Sequence, residues 1–331
     1  MYKKMSDIAR EAGVSKATVS RALHNKDYVA EDTKIKILKI IKKYNYSIDN
    51  FAQSLRRMKT NTIGFVMTQI YPDPFQSVVS MFLEEQAKKN NYRLLISNTL
   101  GSAEEEKYAL NLFMQYRVEG VIFGYLIDTK SVKILKSKGI PFVLIERRRN
   151  LSNVNVILLD YYKGIEISIN HLVSKGAKKI GFIGPRLGDE VENDLYKSYK
   201  NTLKINGLNF DKSLVYFGWM DVQTGYNGMK EFIDNKNIPD ACIIINDITT
   251  LGAMQAITKA GIKIPDDLMI ISCDNTLSGF LPTPVSSITF KKEIIAGTAF
   301  NLILENIKNK KFKKKVILVE PKLIKRESSK F

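Results

Sequence analysis

Six of the seven residues from Ser15 to Arg21 have side chains suited to a nucleic-acid duplex: Ser15, Lys16, Ala17, Thr18, Ser20 and Arg21. An arginine fork donates two hydrogen bonds to the O6 and N7 of guanine, and an alanine methyl meets the methyl of thymine. Small hydroxyls suit backbone phosphates, which set a protein's register on its duplex. These groups act together only if one helix face presents them, and the spacing of Ala9, Gly13 and Val19 supplies that helix. Ala9 is small where one helix crosses the next. Gly13 gives the turn its left-handed residue. Val19 packs inward with Leu23 one turn on, so Ala17 and Arg21 face the other way, with Lys16 exposed at the helix start. Ser15 is a good N-cap, and a helix N-terminus suits a phosphate. The pattern is that of a helix-turn-helix, whose second helix enters a major groove. The plainer alternative is a generic three-helix packing element with a basic surface.

A second set of residues closes apolar runs much further along: Asp160, Asn246, Asp247 and Asp274. Phe75, Gln76, Trp219, Met220 and Phe290 add apolar or stacking surface. Carboxylates and amides accept the paired hydroxyl hydrogens of a polyol, and an aromatic face packs on the CH surface of a sugar ring. In doubly wound sheets ligands sit at the C-terminal strand ends. For Asp274 the alternative is a turn or helix cap after a buried strand; for Trp219 it is an ordinary core or surface aromatic.

The elements that must hold these residues fall into two kinds. Residues 5–46 carry only helical signals: Ser6 opens DIAREA, Ser15 opens KATVSRAL, and a third helix runs from Glu31 to Tyr44 with Ile35, Leu38 and Ile40 or Ile41 at helical spacing. From Thr62 onward, apolar strands alternate with amphipathic helices. The strands predicted are 63–67, 93–97, 120–124, 141–145, 154–159, 179–184, 241–245 and 268–272. Helices are predicted at 75–90, 103–116, 163–175, 194–206, 223–234, 248–260 and 291–308. Such alternation implies parallel sheets covered on both faces. Two sheets fit the length, one over about 61–159 and one over about 160–290, with a last helix and strand at 291–320. The fold class is therefore a small all-α head followed by an α/β core of two doubly wound parallel-sheet subdomains.

The formal charge is +17, which favours a polyanionic partner, nucleic acid or an anionic membrane, or else reflects a generally lysine-rich surface. Residues 1–60 hold fourteen Lys and Arg against six Asp and Glu, so the excess is densest in the head. A later run, Lys308, Lys310, Lys311, Lys313, Lys314 and Lys315, reads as a solvated loop after a helix. Cys242 and Cys273 sit in apolar runs and read as buried small hydrophobes. With His24 and His171 as the two histidines, a zinc site or His-based triad is poorly supported, and no metal or cofactor is expected. No apolar run reaches membrane-spanning length and no signal-peptide core opens the chain, so a cytoplasmic protein is expected. A nucleotide-dependent enzyme on the same fold would need a phosphate loop. The best candidate, GFIGPR at 181–186, matches neither G-x-x-x-x-G-K-[ST] nor G-x-G-x-x-G. A sugar-transport binding protein is the other alternative, against which the basic head argues.

The stretch MSDIAREAGVSKATVSRALHN…YNYSIDNFAQSLRRMKTNTIGFV resembles the LacI/GalR family of bacterial repressors. Further similar blocks are VEGVIFG, GIPFVLIER, HLVSKGAKKIGFIG, INDITTLGAMQAITKAGIKIPDDL, IISCDN and the closing KRESS. The resemblance implies a helix-turn-helix head (1–46), a hinge helix (47–60) and a periplasmic-binding-protein-like core (61–331). In that core, about 61–159 plus 291–318 would form the N-subdomain, and about 160–290 plus 319–331 the C-subdomain. It assigns base reading to Lys16, Ala17 and Arg21, and gives Leu55, beside Arg56, the place of an apolar wedge in the minor groove. His24 stands where the family often has Asn. Phe75, Asp160, Met220, Asn246 and Asp274 match positions lining the family's effector pocket, with Gln76, Trp219, Asp247 and Phe290 as neighbours. Leu195 replaces a frequent arginine; Lys197, two residues on, is the candidate effector contact in its stead, a poorer fork for an anion, and the missing arginine implies a neutral sugar as effector. The resemblance further implies a non-enzymatic repressor of a carbohydrate-utilisation operon. It would bind a pseudo-palindromic operator as a homodimer. No leucine heptad follows KRESSKF, so no tetramerising helix is expected.

Overall fold

A computed structural model describes residues 3–23, 29–44, 59–68, 74–146, 154–186, 190–309 and 314–329. His24, Leu55, Arg56 and nearly all of the expected hinge lie outside these described residues. The chain divides into two compact units, Met1–Thr60 and Asn61–Phe331.

In the first unit α1 (Met5–Ala12), α2 (Lys16–Leu23) and α3 (Glu31–Lys43) enclose Ile8, Ala9, Val19, Ala22, Ile37 and Ile40. Helix α1 starts one residue ahead of Ser6, because the Asp7 carboxylate accepts from the Lys4 amide (2.9 Å) and closes the first turn. Gly13 is left-handed (φ 72°) and ends α1 as its composition requires. The buried stripe of α3 differs from expectation. Ile37 and Ile40 face the core, while Ile35 and Leu38 are exposed. The run IKILKII offers two overlapping apolar stripes, and docking against Ile8 and Val19 selects one.

The second unit holds two six-stranded sheets. The first contains β1 (Thr62–Met67), β2 (Arg93–Asn98), β3 (Gly120–Phe123), β4 (Phe142–Glu146), β5 (Val156–Leu159) and β11 (Val316–Val319), in the order β11-β5-β4-β3-β1-β2. The second contains β6 (Ile180–Pro185), β7 (Val215–Gly218), β8 (Ala241–Ile244), β9 (Met269–Cys273), β10 (Ser286–Thr289) and β12 (Lys322–Ile324), in the order β12-β10-β9-β8-β6-β7. Pairing is parallel except for β12, which runs antiparallel to β10. Helices α4 (Pro74–Lys89), α5 (Ala103–Gln115) and α6 (Thr129–Ser137) belong to the first sheet. Helices α7 (Tyr161–Ser174), α8 (Glu190–Ile205), α9 (Val222–Asp234) and α10 (Asp247–Lys259) belong to the second. Helix α11 (Lys292–Asn309) returns to pack on α4, β3 and β4.

The central strands read as continuous apolar runs because both of their faces are covered; β3, β5, β8 and β9 are buried at every residue. The elements absent from the sequence prediction were α6, β7, β10 and β12. Strand β10 (SSIT) is polar in composition, yet Ser286 and Ser287 are fully buried. The chain's C-terminal segment makes that possible. Ser286 donates its amide to the Ser328 hydroxyl (2.8 Å), and its own hydroxyl accepts from the Arg326 amide (2.7 Å). Helices α9 and α10 cross with their backbones in contact. A Cβ on Gly225 would lie 1.7 Å from the Thr249 carbonyl oxygen, and one on Gly252 1.8 Å from that of Val222. This crossing packs the helices that follow β7 and β8 backbone to backbone.

Candidate functional site

The outer face of α2 carries Lys16, Ala17 and Arg21, all exposed, with Val19 fully buried on the opposite side. Among the described residues neither Lys16 nor Arg21 makes a salt bridge. The helix is anchored at its start by Ser15, whose Oγ accepts from the Thr18 amide (3.1 Å) and shares a hydrogen bond with Thr18 Oγ1 (2.9 Å). Thr18 and Ser20 are half-buried at the edge of the same helix. Glu11 and Lys43 tie α1 to the end of α3 (2.8 Å); the bond to Glu11 raises the Lys43 pKa, and the bond to Lys43 lowers that of Glu11. The result is a cationic helix face held from behind by a small apolar core.

The C-terminal ends of β6 to β10 gather the second set. Asp274 closes β9 and is 2 % exposed, with a left-handed backbone (φ 82°) followed by Asn275 in the same region (φ 48°). Two consecutive non-glycine residues there are held only where the surroundings over-determine them. Tyr161, the first residue of α7, donates its hydroxyl to Asp274 Oδ1 (2.9 Å) and lays its ring against Phe290 (centroids 4.6 Å apart). Lys292, the first residue of α11, donates its amine to the Asp274 carbonyl and sits over the Phe75 ring, 5.2 Å from its centroid. Phe75 lies in the first turn of α4, which belongs to the first sheet, so this chain of contacts joins strand-end material of both sheets.

Several predicted residues serve the scaffold. The Asp247 carboxylate is buried and accepts from the Ser272 hydroxyl (2.6 Å), from the amides of Thr276, Leu277 and Ser278, and from the Ser278 hydroxyl. It organises the loop after β9. Asn246 caps α10 through Thr249 (2.8 Å) and gives its amide to the Met220 carbonyl (3.1 Å), fixing the left-handed Met220 (φ 58°). Gln76 pins the end of β1, accepting from the Thr68 amide and donating to the Thr68 hydroxyl. Phe290 is fully buried and backs Tyr161. Asp160, half-buried, caps α7 by accepting from the Lys163 amide (3.2 Å). Lys197 is exposed on α8 while Leu195, Ser198 and Tyr199 turn to the sheet, so it stands on the outer face of that helix.

Trp219 remains, 74 % exposed at the end of β7, with the Arg186 guanidinium 4.6 Å from its ring centroid. Tyr161, Lys292 and Arg186 were not found from sequence. The available signal was position: each directly follows a strand end or opens the next helix.

The comparisons agree with this architecture. Residues 4–49 match the model of the "bacterial regulatory proteins, lacI family", and residues 169–329 match a periplasmic binding protein-like domain. An HTH-type transcriptional repressor PurR from Mannheimia succiniciproducens is 30% identical over 331 residues, covering 98% of both chains. The chain belongs to the LacI family. It is thus a transcriptional repressor with a ligand-binding domain, not an enzyme. Two solved structures share its fold. The Lac repressor dimer bound to operator and the anti-inducer ONPF has TM-score 0.87 at 21% identity, covering 99% of each chain. The CelR–cellobiose complex has TM-score 0.74 at 20% identity, covering 98% of this chain and 99% of its own. Among the described residues no helix is long and apolar enough to cross a membrane, and no group of His, Cys, Asp or Glu has metal-ligand geometry.

Proposed function

We propose that this LacI-family member represses a carbohydrate-utilisation operon by binding a pseudo-palindromic operator as a homodimer. A sugar-type small molecule held at the strand ends of the core would set that affinity. Lys16, Ala17 and Arg21 read bases; Ser15, Thr18 and Ser20 hold phosphates; Leu55 enters the minor groove, flanked by Arg56 and with His24 at the end of the reading block. One helix-turn-helix reads too few base pairs for genomic selectivity, and two-fold pairing doubles the site.

The observation that carries the ligand reading is the continuous run Phe75–Lys292–Asp274–Tyr161–Phe290, a polar centre between aromatic faces that draws on both sheets. A molecule bound there touches both subdomains, so it can bind one of their arrangements better than another. Only that differential affinity shifts an equilibrium. The bound cellobiose of the CelR neighbour supports a sugar in this class of cleft.

The test is a gel shift of the full-length protein against DNA upstream of its own gene, with a panel of mono- and disaccharides added. A specific shift altered by one panel member supports the reading. Equal affinity for random fragments at physiological salt, or turnover of an added sugar, would sink it.

A further inference from the structure

We propose that Arg326, in the closing KRESS block, is a positioning residue of the ligand cleft: its guanidinium locks the turn that carries Asp274, and so sets how well the cleft binds. The proposal rests on the cleft reading above and adds to it a residue that acts through Asn275.

The KRESS block has two separate roles. Its backbone and serines fasten the edge of the second sheet. The Arg326 amide donates to the Ser286 hydroxyl (2.7 Å), the Ser286 amide to the Ser328 hydroxyl (2.8 Å), and the Ser328 hydroxyl to the Ile270 carbonyl (2.6 Å). None of these bonds uses the guanidinium. That group reaches past the sheet edge to the excursion between β9 and β10. Nη2 donates to Asn275 Oδ1 (2.6 Å) where the chain leaves β9, and Nη1 donates to the Val285 carbonyl (2.7 Å) where it returns. A Cβ on Gly279 would lie 3.3 Å from Nη2, so the middle of the excursion also closes on the guanidinium. Burial lowers the Arg326 pKa and the field of the Asp247 carboxylate opposes that. The acid that gathers the Thr276, Leu277 and Ser278 amides thus also balances this cation.

The turn needs such a lock. Asp274 and Asn275 are both left-handed (φ 82° and 48°), which non-glycine residues hold only where their surroundings impose it. At Asn275 those surroundings can be named: its amide donates to the Ser287 hydroxyl (3.1 Å), and its side chain accepts from Arg326. Asp274 is the preceding residue, so the aim of its carboxylate at the Tyr161 hydroxyl (2.9 Å) depends on the same backbone. A charge-assisted bond from a planar fork fixes Asn275 more firmly than a neutral donor or a flexible ammonium.

The test uses the full-length protein, an operator fragment selected from a random pool, and the panel of mono- and disaccharides as probe. The readout is the sugar concentration giving half of the maximal change in operator binding, taken for each variant relative to its own sugar-free affinity. Arg326→Ala is expected to raise that concentration at least tenfold. Arg326→Lys, which can serve one of the two acceptors, should recover part of the loss. Asn275→Gly takes the left-handed backbone without steric cost and removes only the acceptor. It should show a similar rise, and the double variant should be no worse than Arg326→Ala. A merely structural arginine would lower the melting temperature and leave the half-effect concentration where it is. That outcome, or full additivity in the double variant, would overturn the proposal while the cleft reading stands. Should Arg326→Ala fail to fold, Asn275→Gly decides: a wild-type concentration there overturns the lock. A wild type that answers to no sugar of the panel removes the cleft reading, and this inference with it.

Discussion

The outer face of α2 and the strand ends of the second sheet are both rich in polar side chains, but they use them differently. On α2, Lys16, Ala17 and Arg21 point outward, and the two cations carry no internal salt bridge among the described residues. At the strand ends most polar groups are turned inward onto backbone amides and hydroxyls, as Asp247 and Asn246 show. A helix surface needs only its buried side to fold, so its exposed side is left for recognition. A strand-to-helix turn must satisfy loop amides and helix N-termini first, so polarity at such a turn is divided between scaffold and ligand.

The largest expected effect separates these uses. Asp247→Ala orphans several buried donors at once, each costing about 1–3 kcal/mol, so thermal unfolding should show a loss above about 3 kcal/mol. A variant that melted normally and lost only its ligand response would place Asp247 in the binding surface after all. Arg21→Ala should do the opposite. It should cost about 1–3 kcal/mol of discrimination per half-site, read as the ratio of operator to random-DNA affinity, with an unchanged melting temperature. Persistence of operator preference would end the assignment of α2 as the reading helix.

Asp274→Asn sharpens the boundary between the two regions. It keeps the shape of the side chain and its acceptor for Tyr161, so stability should change by about 1 kcal/mol or less, while the ligand response of operator binding should disappear. A full response would remove Asp274 from the site. The smallest effect belongs to Ser15→Ala, which removes the N-cap of α2. About 1 kcal/mol of head stability should be lost, measured by hydrogen exchange of the α2 amides. Unaltered protection would show that Ser15 is free for phosphate contact alone.

A pH effect tests the C-terminal fastening of the second sheet. His171 is buried and bonded to the Ser329 hydroxyl (2.9 Å), and burial lowers its pKa below the ordinary histidine value. The unfolded chain therefore takes the proton more readily. Its contribution is complete above the unfolded pKa and is lost as pH falls through the lower folded one. Melting curves of the wild type should drop more steeply below about pH 6.5 than those of His171→Gln; parallel curves would contradict this.

The head was nearly all legible in the sequence. Gly13, Val19 and Ser15 each have one structural solution at that spacing, and the structure adopts it. The choice of Ile37 over Ile35 in α3 was not legible, because the run IKILKII satisfies helical periodicity in two ways. The core's alternation of strand and helix was legible from its apolar runs. Strand β10 was hidden because its burial depends on a hydrogen bond from the Arg326 amide and one to the Ser328 hydroxyl, some 40 residues away.

By itself, then, the sequence determined the elements whose cause is local: periodic apolar stripes, caps, one left-handed glycine and a cationic helix face. Tertiary structure alone decided which strand-end polar groups became scaffold. It also brought Tyr161, Lys292 and Phe75 to Asp274, although they come from three different helices. Hydrogen-bond partners and burial of that kind depend on which chain segments meet, and no spacing along the chain encodes a meeting across two sheets.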